Sequence, residues 1–411
     1  MSRPRRDVVL IAGRDPGDEL SGGHSSYVRA HARAVLAAGF CPHLFCAGRG
    51  GAATVEADFG VVHRLPAPLR PVRQLAIAVH GPRLAAAIER FAAARGGRLL
   101  LHGFGVWGYA GVLAARRLRR RGLDAIPLVS SYTTYEEEAR SMLGGLAAYG
   151  RRARWRYRAA HAWIRLAVEP YERRAYCGSQ RVLLNYESVR RLIAAKYGSA
   201  PRCAKLPYAS EAAFVRAVAS RGLPGAARRG SPLVVAVSRH EARKGLDVLL
   251  AALARLLAAG VPVRACLIGG GPLLEEHRRL ARRLGLAERV TLPGPVEDCY
   301  SYLEQADLFV LPSRAEQSGS LALLEALQAG CAVIASGVDG ILEDVEDGES
   351  ALLVPPGDSA ALAAALGRAL GDAGLRRHLA RGGRRIFRQR FSAERFSAAL
   401  AAVYAEAGVV P

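Results

Sequence analysis

Apolar residues fall along the chain in two alternating rhythms. Short continuous runs at 7–12, 42–46, 61–64, 98–102, 127–131, 181–185 and 203–206 are bounded by glycine, proline or polar clusters, and they read as strands buried on both faces. Between them, as at 25–38 and 74–94, apolar positions return at three- and four-residue spacings, which predicts amphipathic helices. The alternation resumes with runs at 233–237, 263–268, 290–292, 308–311, 332–335 and 351–354, and it ends in helices over 359–369, 374–388 and 393–405. Strands that alternate with helices make parallel sheets, so the pattern predicts an α/β protein.

The rhythm lapses once, between 207 and 231, where Ser-Arg-Gly-Leu-Pro-Gly-Ala-Ala-Arg-Arg-Gly has the composition of a linker. A chain of 411 residues suits two domains of roughly 200 residues each. The expected organisation is a first domain over 1–206, a linker over 207–231, a second domain over 232–390 and a closing helix over 391–411.

Open parallel sheets bind ligands beyond the carboxyl ends of their strands, so the loops there hold the candidate chemistry. The loop after 308–311 reads Pro312-Ser-Arg-Ala-Glu316-Gln317-Ser-Gly319-Ser320, and the helix that follows carries Leu321 in its first turn and Glu325 further on. Gly319 lets backbone approach a ligand, Ser320 can cap the helix, and first-turn amides present partial positive charge to an anion. Glu316 and Glu325 offer acceptors to sugar hydroxyls. An ordinary connection with two solvated glutamates would use the same residue types. After 233–237 come Arg239 and Lys244, two cations placed to neutralise a diphosphate at the start of the next helix. In the first domain, Gly22 and Gly23 precede a helix, as a phosphate cradle or a tight turn would require. His102 is read as the end of its strand, at the edge where an α/β site wants an ionisable group.

The segment 306–336 resembles the signature of retaining glycosyltransferases of family 4, with Pro312, Ser313, Glu316, Glu325, Ala326 and Gly330 in matching positions. The resemblance implies the GT-B architecture: two Rossmann-like domains facing across a cleft, with the C-terminal helix returning to the first. It implies that Gly22 and Gly23 approach the donor diphosphate and that His102 is the cleft histidine. Arg239 and Lys244 would bind the diphosphate, with Ser238 standing where the family has glycine. Gly294 and Val296 would meet the nucleotide base through backbone. Glu325 would hold the ribose, and Glu316, Gly319, Ser320 and Leu321 the rest of the donor. The catalytic group would be His102, Arg239, Lys244 and Glu316. One departure concerns spacing: the family has seven residues between its glutamates, whereas eight separate Glu316 from Glu325. Counting back from Glu325 puts Gln317 in the first position; Glu316 is preferred because a carboxylate accepts hydrogen bonds more strongly than an amide.

The implied reaction moves a sugar from a nucleoside diphosphate donor to an acceptor hydroxyl on a saccharide, a lipid-linked glycan or a natural product, with retention. No Asp-x-Asp triplet occurs in the sequence, so the expectation is a metal-independent enzyme with no cofactor beyond the donor substrate. A phosphorylase or an epimerase of the same architecture is a rival within the enzymes.

The formal charge of +22 raises a rival from another class, a basic protein that binds nucleic acid or a membrane surface without turnover. The excess is almost all arginine, since only Lys196, Lys205 and Lys244 are lysine, and that pattern fits a compositional drift better than a nucleic-acid partner. The stretch 151–165 interleaves arginine with Trp155, Tyr157 and Trp163. It suits a helix lying on an anionic surface, as in peripheral contact with a membrane, and equally a solvated helix packing its aromatic face on its own domain; the second is the plainer reading. No apolar run reaches the roughly 18 residues of a membrane span, and the N-terminus leads directly into a strand, so a cytoplasmic protein is expected, with peripheral placement at the inner membrane face as a variant. The seven cysteines are scattered, without metal-ligand spacing, and read as buried thiols.

Overall fold

The computed structural model describes residues 6–17, 23–48, 51–67, 76–143, 151–215, 232–316 and 319–411. The chain divides into two compact units. Met1–Ala139, Arg158–Phe214 and Ser392–Pro411 form the first, and Arg140–Tyr157 and Val215–Phe391 form the second.

Among the described residues, the first unit is built on an eight-stranded sheet of β1 (Asp7–Ile11), β2 (Cys41–Gly48), β3 (Ala53–Ala57), β4 (Gly60–Pro66), β5 (Leu99–Phe104), β6 (Ala125–Ser131), β7 (Arg181–Leu184) and β8 (Cys203–Lys205). Their order is β3-β4-β2-β1-β5-β6-β7-β8, parallel except where β3 pairs antiparallel with β4 at the edge. The hydrophobic pattern missed β3 for a physical reason: Ala-Thr-Val-Glu-Ala is exposed and covers no core. The unit extends past the expected boundary at 206. Glu211 accepts from the Arg29 guanidinium at 2.7 Å, and Phe214 meets Phe396 edge-on, with ring centroids 6.3 Å apart. The helix Ala393–Glu406 belongs here because its apolar face is consumed here: Phe396, Leu400 and Tyr404 are fully buried.

The second unit carries β9 (Leu233–Val237), β10 (Arg264–Ile268), β11 (Val290–Gly294), β12 (Leu308–Leu311), β13 (Ala332–Ser336) and β14 (Leu352–Val354). They form a fully parallel sheet in the order β11-β10-β9-β12-β13-β14. Such a sheet needs helices on both faces, and its strands are correspondingly apolar throughout: Val234, Val235, Phe309, Ile334 and Ala335 are all at 0% exposure. The chain winds outward from β9 in one direction to β11, then returns to β12 on β9's other side and winds the opposite way. The point where direction reverses lies between β9 and β12, and it is beyond such a reversal point that open parallel sheets place their ligands.

Candidate functional site

The candidate site of the second unit is built from the loops that follow β9 and β12. After β9 the chain makes a single 3-10 turn, Ala242–Lys244, and enters the helix Leu246–Ala258 through Gly245 in the left-handed conformation, φ 63°. A Cβ on Gly245 would lie 2.0 Å from the Pro312 carbonyl oxygen, so the two loops touch at a point where only glycine fits. Around that contact the loops are latched. Arg314 donates its amide to the Arg243 carbonyl at 2.7 Å, donates Nη1 to the Ala242 carbonyl at 3.0 Å, and clasps Asp247 with two bonds of 2.7 Å. Burial pushes the Asp247 carboxyl up, but the Arg314 hydrogen bonds and charge outweigh it and hold it below its usual value.

This latch brings Lys244 and Glu316 together. The Lys244 ammonium donates to both Glu316 oxygens at 2.5 Å, and the Ser313 hydroxyl donates to Oε2 at 2.8 Å. Lys244 is 8% exposed and Glu316 3%, so the pair lies out of bulk water. Burial pulls the Lys244 pKa below its ordinary 10.5, and Arg243 pulls the same way, although the Glu316 charge opposes both. A third loop, after β13, closes the arrangement. Asp339, a non-glycine residue at φ 45°, accepts from the Glu316 amide at 2.7 Å. Charges then alternate outward. Arg243 stands 3.8 Å from Glu316 and 3.3 Å from Glu241, and Arg239, with 56% of its side chain exposed, pairs with Glu241 at 3.0 Å. The result is three cations around two buried carboxylates at the carboxyl edge of the sheet, an arrangement suited to a polyanionic ligand.

The other residues expected to contact the donor are placed as follows. Gly319 has φ 65° and donates to the Glu316 carbonyl at 3.0 Å. Ser320 occupies the N-cap position of the helix Leu321–Ala329, but its side chain makes no capping bond, contrary to the role expected of it; the cap is left to backbone, with Leu323 and Leu324 donating to its carbonyl. Leu321 is half-buried, as are Glu325 and Val296. Gly294 closes β11 with its carbonyl accepting from Gly269 at 2.9 Å. Burial holds the Cys299 thiol up at about 12, and the Glu325 charge pushes it the same way. Gly22 and Gln317 lie outside the described residues. Gly23 is the exposed first residue of the helix Gly23–Ala37.

His102 is placed differently from the expectation. β5 runs two residues beyond it, to Phe104, so His102 is interior to the strand and 0% exposed. Its Nδ1 is bonded to the Tyr404 hydroxyl and its Nε2 to the Ser130 hydroxyl, both at 2.7 Å. Burial, with His31 beside it, drives its pKa well below 6.5, so it is a neutral imidazole that ties the helix Ala393–Glu406 to the sheet. The thiols also differ from expectation: only Cys46, Cys266 and Cys331 are buried, and Cys177 is exposed. Asp7, Cys41 and His43 bring potential metal-ligand atoms within 4.8 Å of one another, but Arg95 already pairs with Asp7 and His63 with His43.

Sequence reasoning passed over Arg243, Glu241 and Asp339 as site residues. Arg243 is adjacent to Lys244, and nothing in the sequence tells which of two neighbouring cations faces Glu316. Asp339 carried a signal, being the one non-glycine in Gly337-Val-Asp-Gly340 that could accept a hydrogen bond through its side chain.

Known proteins place this architecture. Over 98% of the chain, the fold matches sucrose-phosphate synthase from Thermosynechococcus elongatus, of which it covers 99%, at TM-score 0.75 and 24% identity. It likewise matches, at TM-score 0.66 and 17% identity over 98% of this chain and 100% of the other, Anabaena Alr3699/HepE solved in complex with UDP. The fold class is therefore GT-B, that of two-domain glycosyltransferases. Residues 231–372 match the family model described as glycosyl transferases group 1. In sequence, the chain is 31% identical over 180 residues to the alpha-D-kanosaminyltransferase of Streptomyces kanamyceticus, 43% of this chain and 46% of that protein. The chain spans less than half the length of the curated relatives it matches.

Proposed function

We propose that the protein is a glycosyltransferase that moves a sugar from a nucleoside diphosphate donor, bound by its second unit, to an acceptor hydroxyl with retention of configuration. The observation that carries this reading is the buried Lys244–Glu316 pair at the β9/β12 reversal point, ringed by Arg243 and Arg239. Breaking the bond from sugar to diphosphate builds negative charge on the leaving phosphate. Cations already fixed in a dry loop stabilise that charge without reorganising. Lys244 supplies a point charge, and Arg243 and Arg239 extend it outward. Glu316 holds the ammonium in place, and its remaining lone pairs accept from hydroxyls of the donor sugar. By the family resemblance, Glu325 in the helix Leu321–Ala329 would hold the ribose, and the backbone at Gly294 and Val296 would meet the base.

The solved relative bound to UDP supports a nucleotide donor. Retention and front-face displacement are taken from the signature at Pro312, Ser313, Glu316 and Glu325. Metal independence rests on the lack of an Asp-x-Asp triplet in the sequence together with the three cations. The acceptor is a saccharide, a lipid-linked glycan or a natural product. The test is a thermal-shift comparison of UDP, GDP, ADP and dTDP, followed by transfer from the matching nucleotide sugar with and without EDTA, and NMR of the product's anomeric proton. One nucleotide should raise stability by roughly 3 kcal/mol at a hundredfold excess over its Kd. No shift from any of the four, together with no release of sugar, overturns the proposal; an inverted product overturns retention, and loss of turnover in EDTA restored by magnesium overturns metal independence.

A further inference from the structure

The helix Arg151–Trp163 continues without interruption through the wider turns of Ile164–Val168 into the helix Glu169–Gly178. Its two sides differ in kind. Ile164 and Val168 are 4% and 1% exposed and join the core cluster that includes Leu101 and Trp107. On the outer side, Trp155, Ala159, Ala162 and Leu166 follow one another at spacings of four, three and four, which aligns them along one helix face. All four are exposed, Trp155 at 69% and Leu166 at 77%, and Trp163 adds 37% beside them. Trp155 and Trp163 thus point outward, opposite to the plainer reading of the sequence, while the Tyr157 side chain lies outside the described residues.

The flanks of this stripe are basic. Arg158, Arg165, Arg173 and Arg174 are all exposed. Arg165 keeps 62% of its side chain in solvent while standing 3.6 Å from Glu136, and Arg174 lies 5.5 Å from the centroid of the Tyr171 ring. An apolar stripe with tryptophan in it and guanidinium groups on its flanks is complementary to a surface whose headgroups are anionic and whose layer beneath is apolar. Two other occupants fit less well. A second copy would bring the same arginine rows against each other, and nucleic acid would leave Leu166 with nothing apolar to meet.

We propose that this stripe docks the protein peripherally on an anionic lipid surface, with Trp155, Trp163 and Leu166 entering the headgroup boundary and the arginines engaging the headgroups. Among the described residues no helix is long and apolar enough to cross a membrane, so the contact would be made by this helix lying in the surface plane. The inference stands apart from the glycosyl-transfer reading.

The test is flotation of the full-length protein with phosphatidylglycerol/phosphatidylcholine vesicles and with phosphatidylcholine alone, alongside tryptophan emission. Two variants are compared with the parent, Trp155→Ser/Leu166→Ser and Arg158→Glu/Arg173→Glu; all four positions are exposed, and Leu166→Ser alone substitutes if the first double variant does not fold. The parent should bind only the anionic vesicles with a blue-shifted emission, and each variant should lose about tenfold or more in partitioning. The thermal shift given by nucleoside diphosphate should be the same in all three proteins, so a failure of docking is distinguishable from a failure of the donor site. Absence of parent binding to anionic vesicles, or variants that bind as the parent does, overturns the proposal. Binding that double-stranded DNA competes away without any emission shift also overturns it, and makes the surface a general polyanion site.

Discussion

Replacing Glu316 by glutamine separates the charge of the carboxylate from its shape. Glu316 accepts three hydrogen bonds, two from Lys244 and one from Ser313, in a site where it is 3% and Lys244 8% exposed. The substituted amide would keep one acceptor oxygen but place an NH2 group against the ammonium, leaving a buried cation without its nearest counter-charge. Breaking a buried ion pair from one side costs about 3 to 5 kcal/mol, and the retained acceptor argues for the lower end, about 3 kcal/mol. For a domain of this size class that is roughly 6 to 12 °C in Tm. A nucleoside diphosphate brings anionic oxygens to Lys244, so it should recover part of the loss and give a larger thermal shift in Glu316→Gln than in the parent. Under the proposed function, transfer should still fall by about ten- to a hundredfold, because a donor-sugar hydroxyl would lose a charged acceptor. The assay is differential scanning fluorimetry with nucleoside and with nucleoside diphosphate at matched saturation. A variant as stable as the parent, or one rescued equally by the nucleoside without phosphate, would refute the reasoning that Lys244 is left as a buried charge in want of an anion.

Lys244→Ala should weaken nucleoside diphosphate by about 1.5 to 3 kcal/mol in calorimetry and leave the free nucleoside nearly unchanged, since the lost contact is charge-assisted. Because burial holds the Lys244 pKa below 10.5, diphosphate affinity should decline as pH rises toward that value, and Lys244→Arg should remove the decline. Gly245→Ala should cost about 2 to 5 kcal/mol in chemical denaturation, from the left-handed φ and the 2.0 Å approach to the Pro312 oxygen together. In the first unit, burial lowers the His31 pKa to about 3 and takes His102 well below 6.5; the unfolded chain then binds more protons than the folded one, so Tm should drop as pH falls below 6.5, and His102→Asn should flatten that slope.

Strand positions in the second unit were legible because a parallel sheet covered on both faces demands unbroken apolar runs, and Leu308–Leu311 and Leu233–Val237 supply them. Edge strand β3 was not, because an exposed Ala-Thr-Val-Glu-Ala leaves no hydrophobic signature. Glu316 and Lys244 were legible as candidates from their loops. Their pairing was not, since it depends on Gly245 seating against Pro312 and on Arg314 reaching Asp247, a contact between positions 67 apart in the chain. His102 shows the opposite limit. A histidine in a strand reads as reactive when its neighbours are unknown, and here the two hydroxyls that satisfy it come from Ser130 and Tyr404, the second 302 positions away.

The same distances explain why the cations of the second unit should act without rearranging. Each of the three loops is fixed to another by a contact made through its backbone: Arg314 amide to Arg243 carbonyl, Glu316 amide to Asp339 carboxylate, and Gly245 against the Pro312 oxygen. Lys244 is thereby held where burial disfavours its charge, and Glu316 is the foremost group that stands against that cost. A site in that condition is stabilised by any anion that can reach the ammonium, and most by one whose charge grows as it departs. Latched loops, a desolvated lysine and one hydrogen-bonded carboxylate partner therefore favour an anion at this site over a neutral ligand of the same shape, which is what the proposed transfer would require of its leaving group.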